Sequence, residues 1–264
     1  MTESDDHPID SQRSKHAPQN IYDEPIFFEG YRRLRQNDTG LNGALEVPAL
    51  RALLPDLSGK HILDIGCGFG DFARHARSQG AHSVTALDVS ENMISEAKRL
   101  TTDDNILYLK SSIEDFSPRH GQFDLVVSSM ALHYVEEYAA VTRKVFNALS
   151  PEGRFIFSVE HPICTAHPVG WIRDAGGNLA AWPVDHYQRE GERSTSWFVD
   201  GVRKFHRTVE TYVNTLLVAG FALDHLGEPK PLPEFLDARP MLEETLRRPP
   251  ILLLAATKPA FSQS

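Results

Sequence analysis

Cysteine is nearly absent from this chain: Cys67 and Cys164 are the only two in 264 residues. A disulfide-stapled scaffold is excluded, and two thiols without a metal-type pairing point to a reducing, cytoplasmic setting. Positive charge is also scarce, 27 Lys and Arg against 36 Asp and Glu, for a net charge of −9. A general binder of phosphate backbones needs a basic face, so nucleic acid is not an expected partner. No apolar run approaches the roughly 18 residues that span a bilayer, which sets membranes aside as well. The polar start over 1–20 lacks the apolar core of a secretory signal and reads as a disordered tail. Twelve histidines are present, but no His-x-x-x-His pair accompanies them, so no metal site is expected.

What is present is ordinary globular material, 41% hydrophobic and 24% charged, enough for one large α/β domain with an elaborated cap. Residues 21–57 are aromatic and helical in flavour, with Tyr22, Phe27, Phe28, Tyr31 and Leu34 at helix-like intervals. Gly40–Gly43 breaks that pattern, and a second short helix follows over 45–54. Strands and helices then alternate through 58–160, with strands predicted at 62–65, 84–87, 106–109, 123–128 and 154–159. Ser90 is a plausible N-cap for the helix bearing Met93, Ile94, Ala97 and Leu100. Tyr138, Val141, Val145 and Leu149 mark the helix after the fourth strand, and Pro151-Glu152-Gly153 turns into the fifth. Such alternation predicts a mostly parallel sheet with helices on both faces and ligands at the C-terminal strand ends. Periodicity lapses over 161–207, a stretch rich in Trp, His, Gly and Pro that reads as a functional insertion. Residues 208–259 return to the core with a helix closed by Gly220 and strands at 222–225 and 251–257.

The informative stretch is Ile62-Leu-Asp-Ile-Gly-Cys-Gly-Phe-Gly70. An apolar strand runs into Gly66, Cys67, Gly68 and Gly70, where the backbone can turn sharply and approach a ligand, and a helix opens at Asp71. A dinucleotide fingerprint wants glycine at the first, third and sixth positions. Counted from Gly66, the sixth position is Asp71, whose carboxylate would repel a pyrophosphate. Asp64, inside the strand, likewise suits a cationic ligand better than an anionic one.

This stretch resembles the first motif of class I S-adenosylmethionine-dependent methyltransferases, and later segments extend the resemblance over roughly 60–162. The resemblance implies a seven-stranded, mostly parallel sheet flanked by helices, with an N-terminal helical cap, an insertion after strand 5 and an antiparallel pairing of the last two strands. It implies S-adenosylmethionine as cofactor. Asp88, 24 residues beyond Asp64, would take both ribose hydroxyls, with Val89 and Met93 beside it. Ser112, Ile113 and Glu114 would hold the adenine, although the family often has Asp where Ser112 stands. Backbone carbonyls around Ser129 would meet the methionine ammonium. By the same analogy Tyr31 and Arg35 fold over the cofactor and Arg35 meets its carboxylate; equally, Tyr31 could be core and Arg35 solvated. The Asn/Asp-Pro-Pro-aromatic turn of base and glutamine methylation is missing after the fourth strand.

His133, Glu160 and His161 are candidate general bases at the ends of the fourth and fifth strands. Many methyl transfers need none, because the sulfonium is already activated. The aromatic insertion either walls an acceptor pocket or merely folds itself. The expectation is a methyltransferase acting on N, O or S of a small metabolite or natural product, as a monomer or homodimer. An NAD(P)-type oxidoreductase on the same architecture and a non-catalytic S-adenosylmethionine-binding module are the alternatives.

Overall fold

The computed structural model describes residues 19–36, 41–167 and 169–260. The tail expected over 1–20 therefore lies almost wholly outside the described residues. Helix α1 (Pro25–Gln36) is followed by a π-helical turn, Asn42–Glu46, that runs directly into α2 (Val47–Ala52). Of the break predicted at Gly40–Gly43, Asn42 and Gly43 belong to the helical turn, and Gly40 is outside the described residues.

The core then alternates as β1 (His61–Ile65), α3 (Asp71–Ser78), β2 (Ser83–Asp88), α4 (Glu91–Arg99), β3 (Ile106–Lys110), β4 (Phe123–Ser128), α5 (Tyr138–Ala148) and β5 (Leu149–Glu160). The insertion holds a one-turn α6 (Pro162–Thr165) and two antiparallel hairpins, β6 (Ile172–Arg173) with β7 (Leu179–Ala181) and β8 (Gly191–Trp197) with β9 (Val199–His206). The chain returns through α7 (Val209–Val218), β10 (Ala222–Gly227), α8 (Pro233–Ala238), α9 (Glu244–Arg247) and β11 (Ile251–Thr257). The seven core strands lie in the order β10-β11-β5-β4-β1-β2-β3. All run parallel except β11, which is antiparallel to both β5 and β10.

Both faces of the sheet's centre are covered, which is why β1, β4 and β11 are almost continuously buried runs. Leu63, Ile65, Val126, Phe155, Phe157 and Leu254 pack against α5 and α7. Ile62, Val84, Ala86, Leu125, Val127 and Ile156 face Leu50 of α2, Ala73 and Ala76 of α3 and Ile94 and Ala97 of α4. Ser90 does cap α4, accepting the Met93 N–H at 3.1 Å. Gly220 closes α7 at φ +100°, with the Phe221 N–H reaching back to the Leu216 carbonyl at 3.1 Å.

The fifth strand departs from expectation. It begins at Leu149, which leaves the helix and pairs with Phe123, and Pro151-Glu152-Gly153 is a kink within the strand. Lys258 explains the kink. Its backbone exchanges bonds with Glu152 N–H and the Gly153 carbonyl, 2.9 Å each, while its ammonium donates to the carbonyls of Phe146 and Leu149. No helix among the described residues is long and apolar enough to cross a membrane.

Candidate active site

The C-terminal ends of β1, β2, β4 and β5 converge on one cavity of about 690 Å³. At its floor the glycine turn is pinned to β2, with the N–H groups of Gly66 and Cys67 both donating to the Leu87 carbonyl at 2.8 and 2.9 Å. Gly68 lines the cavity at φ +52°, with open space where a Cβ would stand. Gly70 serves differently. It does not line the cavity, and a Cβ there would strike the Tyr108 hydroxyl.

Three carboxyl groups are buried around this turn. Asp88 accepts the Gly68 N–H and the Ser90 N–H, one on each oxygen and both at 2.9 Å. Burial pushes it up to about 6 against the pull of those donors. Asp64 is 1% exposed, and its Oδ2 has no hydrogen-bond partner among the described residues. Burial, then the neighbouring charges of Asp88, Asp71 and Glu46, push it up to about 8. Glu46, which the sequence reading passed over, comes from the π-helical turn. Its Oε1 accepts the Ser158 hydroxyl at 2.7 Å, its Oε2 has no hydrogen-bond partner among the described residues, and burial raises it against the pull of Ser158 and Ser129.

The N-terminal segment forms one wall. Tyr31 and Arg35 both line the cavity, and Arg35 donates to Asp71 at 2.7 Å. Asp71 also takes Arg74, so its charge is bridged by two guanidinium groups. Asp23, unremarked in the sequence, accepts the Ser90 hydroxyl at 2.6 Å and the N–H groups of Asn92 and Glu91 at 3.0 and 3.2 Å. It thereby caps α4 from outside that helix.

Val89, Met93, Ser112, Ile113 and Glu114 line the side beyond Asp88. Their loop is set by Lys144, whose ammonium donates to the carbonyls of Ile113, Glu114 and Phe116. The Ser112 hydroxyl donates to Asp115 at 2.8 Å, leaving it only acceptor capacity for a ligand. Ser129 also lines the cavity. Met130 beside it adopts φ +52°, its N–H held by both oxygens of Ser158 at 3.0 and 3.1 Å.

The opposite end gathers His133, Tyr134, Glu160, Tyr22, Trp197 and Lys204. Tyr22 and Tyr134 hydrogen-bond one another, and burial pushes both phenols upward, so they stay protonated. Glu160 meets the Lys204 ammonium at 2.5 Å. His133 is 2% exposed, and its Nδ1 accepts the Glu160 N–H at 3.3 Å. That bond places the ring proton on Nε2. Burial, then Lys204 and Arg207, lower its basicity well below the usual range. The ring is therefore neutral, with the Nε2 proton as its donor.

His161 does not line the cavity. Its Nδ1 caps α6 through the Ile163 N–H at 3.1 Å, and its Nε2 meets Glu228 at 3.0 Å. The sequence placed it correctly at the end of β5 but could not show that the ring turns back onto its own backbone. His161→Ala is expected to cost about 1–2 kcal/mol of stability, as a lost cap does, with cofactor affinity unchanged. Denaturant unfolding and calorimetry check this, and a loss of cofactor binding by a stably folded variant would return His161 to the site.

A methyltransferase-domain family profile matches residues 63–157. An S-adenosylmethionine-dependent methyltransferase of known crystal structure from Mesorhizobium loti is 47% identical, superposes with a TM-score of 0.77 and covers 83% of this chain and 100% of its own. This chain belongs to the class I S-adenosylmethionine-dependent methyltransferases. An uncharacterized protein of Haemophilus influenzae is 33% identical over 90% of this methyltransferase and 96% of its own length. The malonyl-[acyl-carrier protein] O-methyltransferase of Enterobacter lignolyticus is 36% identical over 110 residues, and the match spans 43% of that protein. The cofactor of this methyltransferase is S-adenosylmethionine, and the oxidoreductase alternative is set aside. Among the described residues no group of His, Cys, Asp and Glu is arranged to hold a metal.

Proposed function

We propose that this methyltransferase transfers a methyl group to N, O or S of a small-molecule acceptor enclosed by the N-terminal segment and the insertion. The observation that carries this reading is one continuous cavity. It runs from the glycine turn to Trp197 and Lys204 of the β8–β9 hairpin, with the size of a cofactor plus a small molecule. An O-methyltransferase among the relatives adds support for the acceptor class.

The buried residues suit the cofactor's cationic end. Asp64 Oδ2 and Glu46 Oε2 are acceptors in want of donors, and an ammonium supplies them. Asp88, already oriented by two backbone amides, takes the ribose hydroxyls. Gly66, Cys67 and Gly68 pass beneath the aminoacyl chain, and Arg35 and Tyr31 cover its carboxylate. Val89, Met93, Ile113, Glu114 and, more weakly, Ser112 hold the adenine. S-adenosylmethionine supplies a methyl group activated by its sulfonium. The protein's own contribution is alignment and exclusion of water, effects that can supply roughly 7–11 kcal/mol of a barrier. His133 and the one phenol hydroxyl not spent on the Tyr22–Tyr134 bond orient the acceptor as donors, which leaves Glu160 as the one proton acceptor of the three groups expected to act as bases.

The test uses tritiated S-adenosylmethionine with the protein and a cell extract. Label is expected in the small-molecule fraction. Label confined to protein or RNA would overturn the acceptor class while leaving the cofactor assignment intact.

A further inference from the structure

Buried acids crowd the cofactor half of the cavity, whereas at the far end Glu160 and Glu244 are matched by Lys204 and Arg248. Arg248, just beyond α9, has a side chain only 10% exposed and lines that end. Its guanidinium lies 4.0 Å from the ring centre of Trp182 and 5.7 Å from that of Trp171. Aromatic faces of this kind fix the plane of an arginine and leave its N–H edge for a partner.

The partners it has are poor. One Nη donates to the Cys164 sulfur at 3.1 Å, a weak acceptor. The other lies 3.9 Å from Glu244, beyond hydrogen-bond reach, and Nε is buried with no partner among the described residues. Arg207 shows what a purely structural buried arginine looks like here. Its N–H groups are taken by the carbonyls of Val135, Glu136 and Phe205. Lys204, the other cation at this end, is already neutralised by Glu160. Arg248 is thus the cation with donors still to give, and buried donors without acceptors are costly unless a ligand meets them.

On the reading that this cavity holds a small acceptor, we propose that the acceptor carries a carboxylate and that Arg248 is its anchor. A planar fork held edge-on matches a carboxylate in two parallel bonds. A single cation with Glu244 nearby suits a monoanion better than a phosphate dianion. At the acceptor end Lys204 is spent on Glu160, and the unspent N–H groups of Arg248 are what a carboxylate would meet.

The experiment fractionates the small molecules of a cell extract on an anion exchanger at neutral pH and offers each fraction, with tritiated S-adenosylmethionine, to the intact protein. Transfer is expected only with the retained fraction and is expected to survive phosphatase treatment of that fraction. Arg248→Met is expected to lower transfer at limiting acceptor by roughly tenfold or more, with S-adenosylhomocysteine affinity within about twofold of the parent, as an intact fold and cofactor site require. Arg248→Lys, which keeps the charge but loses the fork, should fall between and serves if the Met variant does not fold. Transfer to the unretained fraction, loss of transfer after phosphatase, or an Arg248→Met variant as active as the parent would each overturn the anchor. Label in no small-molecule fraction is a different failure, because it defeats the acceptor reading on which this inference rests.

Discussion

Replacing Asp88 by alanine is expected to weaken S-adenosylhomocysteine binding by roughly tenfold to 150-fold, the equivalent of one lost charge-assisted hydrogen bond of about 1.5–3 kcal/mol. The side chain does two things at once. It presents an acceptor where the ribose would sit, and it ties the Gly68 amide on the glycine turn to the Ser90 amide at the head of α4. Alanine removes both. Asp88→Asn keeps an acceptor oxygen and gives up the charge, so it should fall between the parent and the alanine variant. Calorimetric titration of each variant, with a thermal melt to confirm folding, reads the effect. An alanine variant that binds like the parent would remove Asp88 from the cofactor site.

Asp64→Asn should show the opposite signs for stability and binding. A carboxyl pushed up to about 8 in the folded protein holds a proton that the unfolded chain, titrating near 4, has already released. Between those values the folded state binds more protons, so this group's contribution favours folding at the acid end. That contribution declines as pH rises towards 8, with a slope of at most about 1.4 kcal/mol per pH unit. Asn lacks that titration. Without ligand, the variant should therefore gain on the parent as pH rises from about 5 to 8. It should also bind S-adenosylmethionine less tightly, because the ionised oxygen is the one that meets a cation. Paired melts with and without cofactor across that range check both halves. Parallel stability curves for parent and variant would show that Asp64 does not titrate in this window.

The parts of the site that follow local rules were legible. An apolar strand running into three glycines, an acid at the end of the next strand and a serine ahead of an amphipathic turn each announce their geometry within a few residues. Groups brought in from far along the chain were not. Glu46 sits in an apolar helical stretch and looks like a solvent-facing charge until Ser158, 112 residues away, donates its hydroxyl to it. Arg248 reads as half of a basic pair before two prolines, and only the fold sets it on Trp182. Asp23 and Lys144 are of the same kind, since each satisfies a distant stretch of backbone. His161 is the reverse case. Its position at the end of β5 was legible, but a ring two residues from a free helical amide has a local use that competes with chemistry.

The attachment of the N-terminal segment has a kinetic corollary. It is fastened across the nucleoside cleft by Asp23 on the head of α4 and by Arg35 on the head of α3. Spent nucleoside leaving through that wall must first unlatch these two polar clasps. The Arg35–Asp71 clasp is an ion pair and partly wetted, so it loosens with salt far more than buried apolar area does. Ionic strength should consequently act on the release half of the cycle, quickening departure of the demethylated product while the sheet beneath stays unmoved.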